Sequence, residues 1–506
     1  MNHWVAVPVV LPSLAAAFII LALRPSLPQQ RIVSIGATLF LLATTIGLYA
    51  VAADGVPRAY LLGNWPAPFG IVLVLDRLSA TMILLTAFLS LAVLIFAVQG
   101  WDRRGRHFHA LFQFQLMGIN GAFLTGDVFN LFVFFEVMLI ASYGLLLHGG
   151  GPRRLRAGFH YVAINLVGST LFLFAVGLIY ATTGTLNMAD LSVKVAAVAP
   201  GDEALLRTGI LLLLMVFALK SAIAPLYWWL PTAYSAASAP AAALFAIMTK
   251  VGAYSIMRMA TLVLGPEAGP FAALATPWIL PAALVTLVVA AIAMLGSRTL
   301  LDLVCFAVIW SMGSLLVAIG LFDARGMTAA MFYVVHSTLA GATLFLLVDL
   351  VVERRGAFLD RLTLAPAMVQ AGLVGGLFFL AAIAMAGMPP LSGFIGKLMV
   401  LDAARGAPWG GLVWATILAT SLVAILAFSR AGSLLFWKSE TVEGTVAAPA
   451  ATNAWPVAVV GAMIGATALL TIFAGPATRN FEATAAQMLD RAVYVRAVLG
   501  PAALPR

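Results

Sequence analysis

Leu211–Met257 reads LLLLMVFALKSAIAPLYWWLPTAYSAASAPAAALFAIMTKVGAYSIM, an almost wholly apolar run with two lysines, Lys220 and Lys250, set inside it. A charge placed at the centre of a membrane helix costs about 2.5–3.5 kcal/mol by insertion scales, so intramembrane lysines are rare and mark function. Between them stand Pro225, Pro231 and Pro240. A proline inside a helix deprives the carbonyl four residues back of its amide donor, here Ser221 for Pro225. Freed backbone at membrane depth is tolerated where it is packed in protein or lines a wet cavity. The stretch therefore reads as a broken membrane helix carrying a titratable amine, a combination that points to ion movement.

The rest of the chain agrees with a membrane setting. Of 506 residues, 63% are hydrophobic and 9% charged, against about 45–50% and 25% in a soluble domain. Apolar runs long enough to span a bilayer, roughly 20 residues each, fall at 4–23, 31–52, 71–98, 108–125, 127–148, 158–181, 205–228, 238–262, 272–295, 302–321, 327–351, 370–401, 411–437 and 455–475. The expected fold is thus an all-α polytopic membrane protein of about 14 transmembrane helices. The first run lacks a basic leader and a clear cleavage site, and reads as a retained span. Short loops such as DRRGR (Asp102–Arg106) and GPRRLR (Gly151–Arg156) concentrate arginine on one side. Arg58, Lys194, Arg207, Arg258, Arg325 and Arg405 fall on the other. The positive-inside rule then places both termini outside, and the net charge of +9 reflects orientation rather than nucleic acid. The single cysteine, Cys305, provides neither a disulfide framework nor a metal–thiolate site, and no Gly-rich phosphate loop appears. No cofactor and no metal are expected.

The twelfth span, GLFFLAAIAMAGMPPLSGFIGKLMVL, is long and interrupted by Pro389 and Pro390, loosened by Gly387, Gly393 and Gly396, and followed by Lys397. It resembles the seventh span, where Lys220 precedes Pro225. Two interrupted spans with a lysine, five spans apart, point to an internal duplication; an odd number of spans per unit makes it an inverted repeat, which places ion sites near the midplane. The connection Asp190–Arg207 is polar enough for a surface helix. Lys438–Asn453 reads as a mobile loop, and the segment after Ala474 as a peripheral helix.

Five residues are candidates for ion translocation. Glu136, in FNLFVFFEVMLIASYGLL, is as central in its span as Lys220. Desolvation disfavours both charged forms, so a Glu136–Lys220 pair would hold both charged, and its separation would release or take up a proton. Lys250 is a candidate relay between the halves, and Lys397 a terminal proton site mirroring Lys220. His336, in MFYVVHSTLAGATLFLL, titrates near neutrality and can pass protons, although a lone buried histidine is often hydrogen-bonded core. Asp127 opens the fifth span as a helix cap or a cation entry.

These residues together resemble the proton-translocating antiporter-like subunits shared by respiratory complex I and Mrp-type cation/proton antiporters. The likeness covers nearly the whole chain and rests on the glutamate-bearing fifth span, LKSAIAPLYWWLPTAY (Leu219–Tyr234), MTKVGAY (Met248–Tyr254) and PPLSGFIGK (Pro389–Lys397). The resemblance implies two inverted five-helix repeats with helices 7 and 12 broken, dividing the chain into 1–107, 108–262, 263–437 and 438–506. It also makes Glu136, Lys220, Lys250, His336 and Lys397 the central hydrophilic axis. Within the family, PLYWWLPTAYSAASAP carries Tyr227 and Tyr234 where quinone-reducing relatives usually carry histidines, and so is similar to the Mrp-type component of class D. The start of the tenth span, SRTLLDLVCFAVIWSMG, departs from the basic pattern of many relatives. The resemblance implies a subunit of a multisubunit Na+(K+)/H+ antiporter of a bacterial inner membrane. There it would serve pH homeostasis beside A, B, C, E, F and G type subunits, with no enzyme activity of its own. The alternative is a proton-pumping subunit of a redox complex, an NADH-quinone oxidoreductase or a membrane-bound hydrogenase.

Overall fold

The computed structural model describes residues 2–439 and 454–501, so most of the Lys438–Asn453 loop lies outside the described residues. Helices α1 (Val7–Ala22) and α2 (Leu27–Ala52) lead to a small antiparallel hairpin, β1 (Arg58–Leu61) and β2 (Val72–Leu75), in the register Arg58↔Leu75. There follow α3 (Arg77–Ala97), α4 (Phe108–Leu124), α5 (Val128–Leu147), α6 (Pro152–Thr183) and the short α7 (Met188–Lys194). The quoted stretch spans α8 (Glu203–Lys220), α9 (Trp229–Tyr234), α10 (Ala239–Phe245) and α11 (Met248–Leu262). Then come α12 (Thr276–Gly296), α13 (Leu300–Gly320), α14 (Ala324–Arg355), α15 (Ala371–Ala386), α16 (Ser392–Ala403) and α17 (Gly410–Gly432). The chain closes with α18 (Trp455–Ile472), α19 (Ala474–Leu489) and α20 (Arg491–Leu499).

Eleven helices among the described residues are long and apolar enough to cross a membrane. The three expected spans outside that set differ for physical reasons. The 108–125 run becomes the 17-residue α4. The 205–228 run stops at Lys220 as α8, which also carries Glu203 and Arg207. The 370–401 run divides into α15 and α16. The 71–98 run is shorter than expected because Asp76 accepts from the Ser79 amide while Ser79 Oγ accepts from the Asp76 amide. This reciprocal capping box fixes the helix start and leaves Val72–Leu75 free to pair as a strand.

The span through α10 and α11 is wholly enclosed, while α17 and α18 bury only about a third of theirs. Outer helices present leucines and phenylalanines such as Phe159, Leu166, Leu422 and Leu426, as a lipid-facing surface requires. Backbone polar groups stay paired inside the helices, the only arrangement besides a barrel that hydrocarbon permits.

Charged groups near the two ends of the bundle pair with one another. On the face bearing the arginine loops, Arg31 holds Asp102 through two hydrogen bonds of 2.6 and 2.7 Å, and His109 Nε2 lies 3.1 Å from the same carboxylate. Burial opposes the charge on Asp102, but the bonds from His109 and Arg31 outweigh it and hold the carboxyl down at about 2. On the hairpin face, Arg258, counted above with the basic residues of that side, is buried on α11 and grips Asp76 at 2.6 and 3.0 Å. Arg77 instead turns to the C-terminal segment and donates to Asn480 Oδ1 at 2.9 Å. That segment is two helices, with α19 packed along α14. The polar 190–207 connection contains α7, whose Met188, Ala189 and Leu191 are buried.

Candidate functional site

Lys220 is the last residue of α8. The helix ends before Pro225 can disturb it, and the carbonyls it leaves behind find donors. Leu219 O accepts the Trp229 indole N–H at 2.9 Å, and the Ala224 amide donates to Thr286 Oγ1 at 2.8 Å. Side chains thus repair the break, and the chain crosses it through Ala222, which adopts a left-handed φ of 53°. Lys220 is 5% exposed, and its Nζ donates to Asn165 Oδ1 at 2.7 Å.

The expected direct pairing of Glu136 with Lys220 is replaced by a longer arrangement. Among the described residues no ion pair joins them; the two remain within Coulombic range. Helix α6 stands between, offering Asn165 to the lysine and the Ser169 hydroxyl to Glu136 Oε1. Asn165 and Ser169 are four apart and share one helix face. Glu136 is itself only half-buried, flanked on α5 by the exposed Val133 and Ile140. Phe135, Phe172 and Phe217 pack their rings 5.6–6.3 Å apart beside this site.

Lys250 lies at the start of α11, fully buried, with Thr249 Oγ1 at 3.4 Å as the one hydrogen-bond partner of its ammonium among the described residues. The helix entering it is interrupted at Ala246 and Ile247, where the amides of Ala246, Ile247 and Lys250 bond to carbonyls three residues back. Such tightening marks a strained or hinging turn. No proline or glycine announces this third break. A cation at a helix N-terminus also gains nothing from the dipole, whose positive end lies there. The first break touches α11 directly: a Cβ on Gly252 would stand 2.5 Å from Ser221 Oγ, a buried hydroxyl without a hydrogen-bond partner among the described residues.

His336 sits in the middle of α14, and its Nδ1 meets Ser392 Oγ, the first residue of α16, at 2.9 Å. Its Nε2 is buried without a partner among the described residues, and Lys250 and Lys397 are both within Coulombic range. Gly393 makes this approach possible, since a Cβ there would lie 2.9 Å from the imidazole Cε1 and Nε2. Lys397, 6% exposed, folds back over Gly387 and donates to Ala386 O at 2.5 Å and Ser421 Oγ at 2.9 Å. Ala386 ends α15, so the ammonium meets the negative end of that helix dipole. Its Nζ also lies 3.7 Å from the centroid of the Trp310 ring. Lys220, Lys250, His336 and Lys397 are therefore all enclosed, and Glu136 stands half-buried on α5 beside the first of them. The sequence reading missed their neutral partners, Asn165, Ser169, Ser392, Ser421 and Trp310, which a one-dimensional pattern does not connect.

A family model described as NADH:quinone oxidoreductase/Mrp antiporter, TM matches residues 125–423. The chain is 40% identical to a protein of Rhizobium meliloti (strain 1021) named as the D component of a probable K(+)/H(+) antiporter, over 99% of this chain and 98% of that one. It is 35% identical to the protein of Bacillus subtilis (strain 168) named as the D component of a Na(+)/H(+) antiporter, over 87% and 88%. Its structure is similar to a chain in the Mrp complex from Dietzia sp. DQ12-45-1b, with a TM-score of 0.88, 26% identity and 99% and 100% coverage. A chain of an archaeal membrane-bound sulfane sulfur reductase shares the fold, with a TM-score of 0.87 at 24% identity and coverage of 98% and 99%. The match to the family model over 125–423 and the 40% identity over 99% of the chain show that this chain belongs to the NADH:quinone oxidoreductase/Mrp antiporter transmembrane family.

Proposed function

We propose that the chain is the D-type component of a multisubunit monovalent cation/proton antiporter, and that Glu136, Lys220, Lys250, His336 and Lys397 form its proton-translocating axis. The observation that carries this reading is the enclosure of three lysines among neutral partners. A structural ion pair would neutralise each ammonium with a carboxylate, whereas here amide, hydroxyl, carbonyl and π groups support a charge that can leave. Two unit charges about 10 Å apart at an effective dielectric of about 20 interact by about 1.7 kcal/mol, more than a tenfold bias on a proton. Glu136 is within Coulombic range of Lys220, and His336 of both Lys250 and Lys397, so a proton gained at one of these groups is felt at the other and each half of the axis couples through charge.

Glu136 links that axis to a neighbour. A carboxylate half-exposed on a face with Val133 and Ile140 is unfavourable toward lipid, so another membrane subunit covers α5 there. On this reading the chain takes protons inward in exchange for Na+ or K+ outward, with the cation route shared with an adjoining subunit. Counting α4, α8 and the α15–α16 pair with the eleven long helices gives fourteen crossings. The segments 108–262 and 263–437 form two inverted repeats between the N-terminal helices 1–107 and the 438–506 tail. Both termini lie outside the inner membrane.

The test is cation-driven dye dequenching in inverted vesicles that contain the whole assembly. Glu136→Ala and Lys220→Ala should abolish the response to Na+ or K+ while the assembly persists. A parent assembly that ignores both cations but pumps protons with a reduced electron donor, and co-purifies with flavin and iron–sulfur subunits, would assign the chain to a redox complex instead.

A further inference from the structure

The central axis needs a way out, and the structure carries polar groups from it to the hairpin face along α11. Lys250, Tyr254 and Arg258 are spaced four apart and so share one helix face, covering about 12 Å of rise. Tyr254 OH donates to Phe123 O at 2.6 Å and accepts from Arg258 Nη2 at 3.1 Å. Arg258 is locked to Asp76 in two bonds, and its guanidinium lies 5.2 Å from the ring of Tyr494 on α20. Tyr494 is 5% exposed, and its hydroxyl has no hydrogen-bond partner among the described residues. A Cβ on Gly126 would stand 3.0 Å from that hydroxyl. The next residue, Asp127, is within Coulombic range of the same tyrosine and is half-exposed at the head of α5.

We propose that this face of α11 is the leg by which protons pass between the central axis and the hairpin face, and that Tyr494 is its last relay before Asp127. The proposal rests on the antiporter reading above. A purely structural clamp accounts for Arg258 and Asp76 but not for the tyrosine hydroxyl. A buried hydroxyl without a partner is destabilising, and phenylalanine would avoid that while filling the same space. With water completing the chain, the Tyr494 oxygen accepts a proton from the Arg258–Asp76 side and gives up its own toward the Asp127 carboxylate. One O–H bond forms, one breaks, and the phenol ends neutral. Burial raises the Asp127 carboxyl to about 6, so it can both take and release that proton near neutral pH.

The test uses the complete assembly in inverted vesicles, with exchange rates normalised to assembled complex. Tyr494→Phe removes only the unbonded hydroxyl, and Asp127→Asn keeps a good helix cap while removing the proton acceptor. Each should slow cation-driven proton movement roughly 10- to 100-fold, within reach of what a positioned proton-transfer group contributes, without loss of assembly and, for Tyr494→Phe, with a melting temperature equal to or above the parent's. Rates within about twofold of the parent in both variants, while Lys220→Ala abolishes exchange, overturn the leg and leave the antiporter reading standing. Loss of rate together with loss of assembly in both variants assigns the cluster a structural role and equally overturns it. If Lys220→Ala also exchanges normally, the antiporter reading fails and the leg with it.

Discussion

The two proline-marked breaks look alike in sequence and are built differently. At the first, Lys220 ends the leading half-helix and is held by Asn165, with a carboxylate, Glu136, one helix away across Ser169. At the second, Lys397 belongs to the trailing half-helix and reaches back across the gap to the end of the leading one, under a tryptophan ring and beside a serine. The first lysine therefore answers to a charge that a neighbouring subunit can influence through Glu136. The second has no carboxylate beside it among the described residues and is held by dipoles and a ring fixed by its own fold. On the proposed function, a coupling site and a terminal site need that difference, since the first must sense its surroundings and the last must hold and release a proton reproducibly.

The largest expected effect tests whether both lysines work by losing their protons. Lys220→Arg and Lys397→Arg keep the charge, but a guanidinium stays protonated in proteins. Each should reduce exchange by roughly 100-fold or more, the scale of a lost proton-transfer group, in dequenching assays on assembled complex. Full exchange with arginine at either position would reduce that lysine to a structural charge and dissolve the comparison there.

Backbone conformation offers a second contrast. The first break crosses through Ala222 at φ 53°, the second through Gly387 at φ 75°. A left-handed residue with a Cβ costs roughly 1–2 kcal/mol. Ala222→Gly should therefore raise the melting temperature of the assembly or leave it unchanged. Gly387→Ala should lower the melting temperature, with a destabilisation of roughly 1–2 kcal/mol or more, because the new Cβ would also meet the Lys397 side chain at 2.6 Å. Equal effects of the same sign would mean that strain does not distinguish the breaks.

Much of this is legible in the chain because charge and proline are costly in a membrane and stand out against leucine and alanine. Glu136, Lys220, Lys250, His336 and Lys397 stand out that way, and so do the breaks at Pro225 and Pro389. Three kinds of feature do not. The interruption at Ala246–Ile247 uses residues that any helix accepts, so tertiary packing sets it. Arg258 reads only as one more charge of the side opposite the arginine loops, because its partner, Asp76, lies 182 residues away. Asn165, Ser169 and Ser421 are ordinary in membrane helices, and only the fold shows which of them faces a lysine.

Acid separates the loops from the breaks. Asp102 is held at about 2 by His109 and Arg31 against an ordinary value of 3.8. A depressed carboxyl stabilises the fold fully above its unfolded value, and that stability is lost as pH falls from about 3.8 toward 2. The contribution is about 1–2 kcal/mol after allowance for solvent screening. In Asp102→Asn the acid-dependent part of the melting curve between those values should flatten, while cation exchange at neutral pH keeps its dependence on Lys220 and Lys397. A variant in which exchange collapses at neutral pH would mean that the arginine-face loop takes part in transport.

The smallest effect bears most directly on how Lys397 differs from Lys220. A desolvated ammonium over an indole face gains about 0.5–2 kcal/mol, which is roughly 2- to 30-fold in the balance between charged and neutral lysine. Trp310→Leu removes that support and leaves the Ala386 carbonyl and Ser421 in place, so exchange should fall within that range without loss of assembly. Trp310→Phe keeps a weaker π face and should fall between the two. Ser421→Ala removes a neutral hydrogen bond worth about 1 kcal/mol and provides the scale for comparison. If leucine and phenylalanine behave alike and both match the parent, the ring only fills space. The carbonyl end of α15 then supports the charge by itself, and the second site works through a helix terminus, as the first does through an amide.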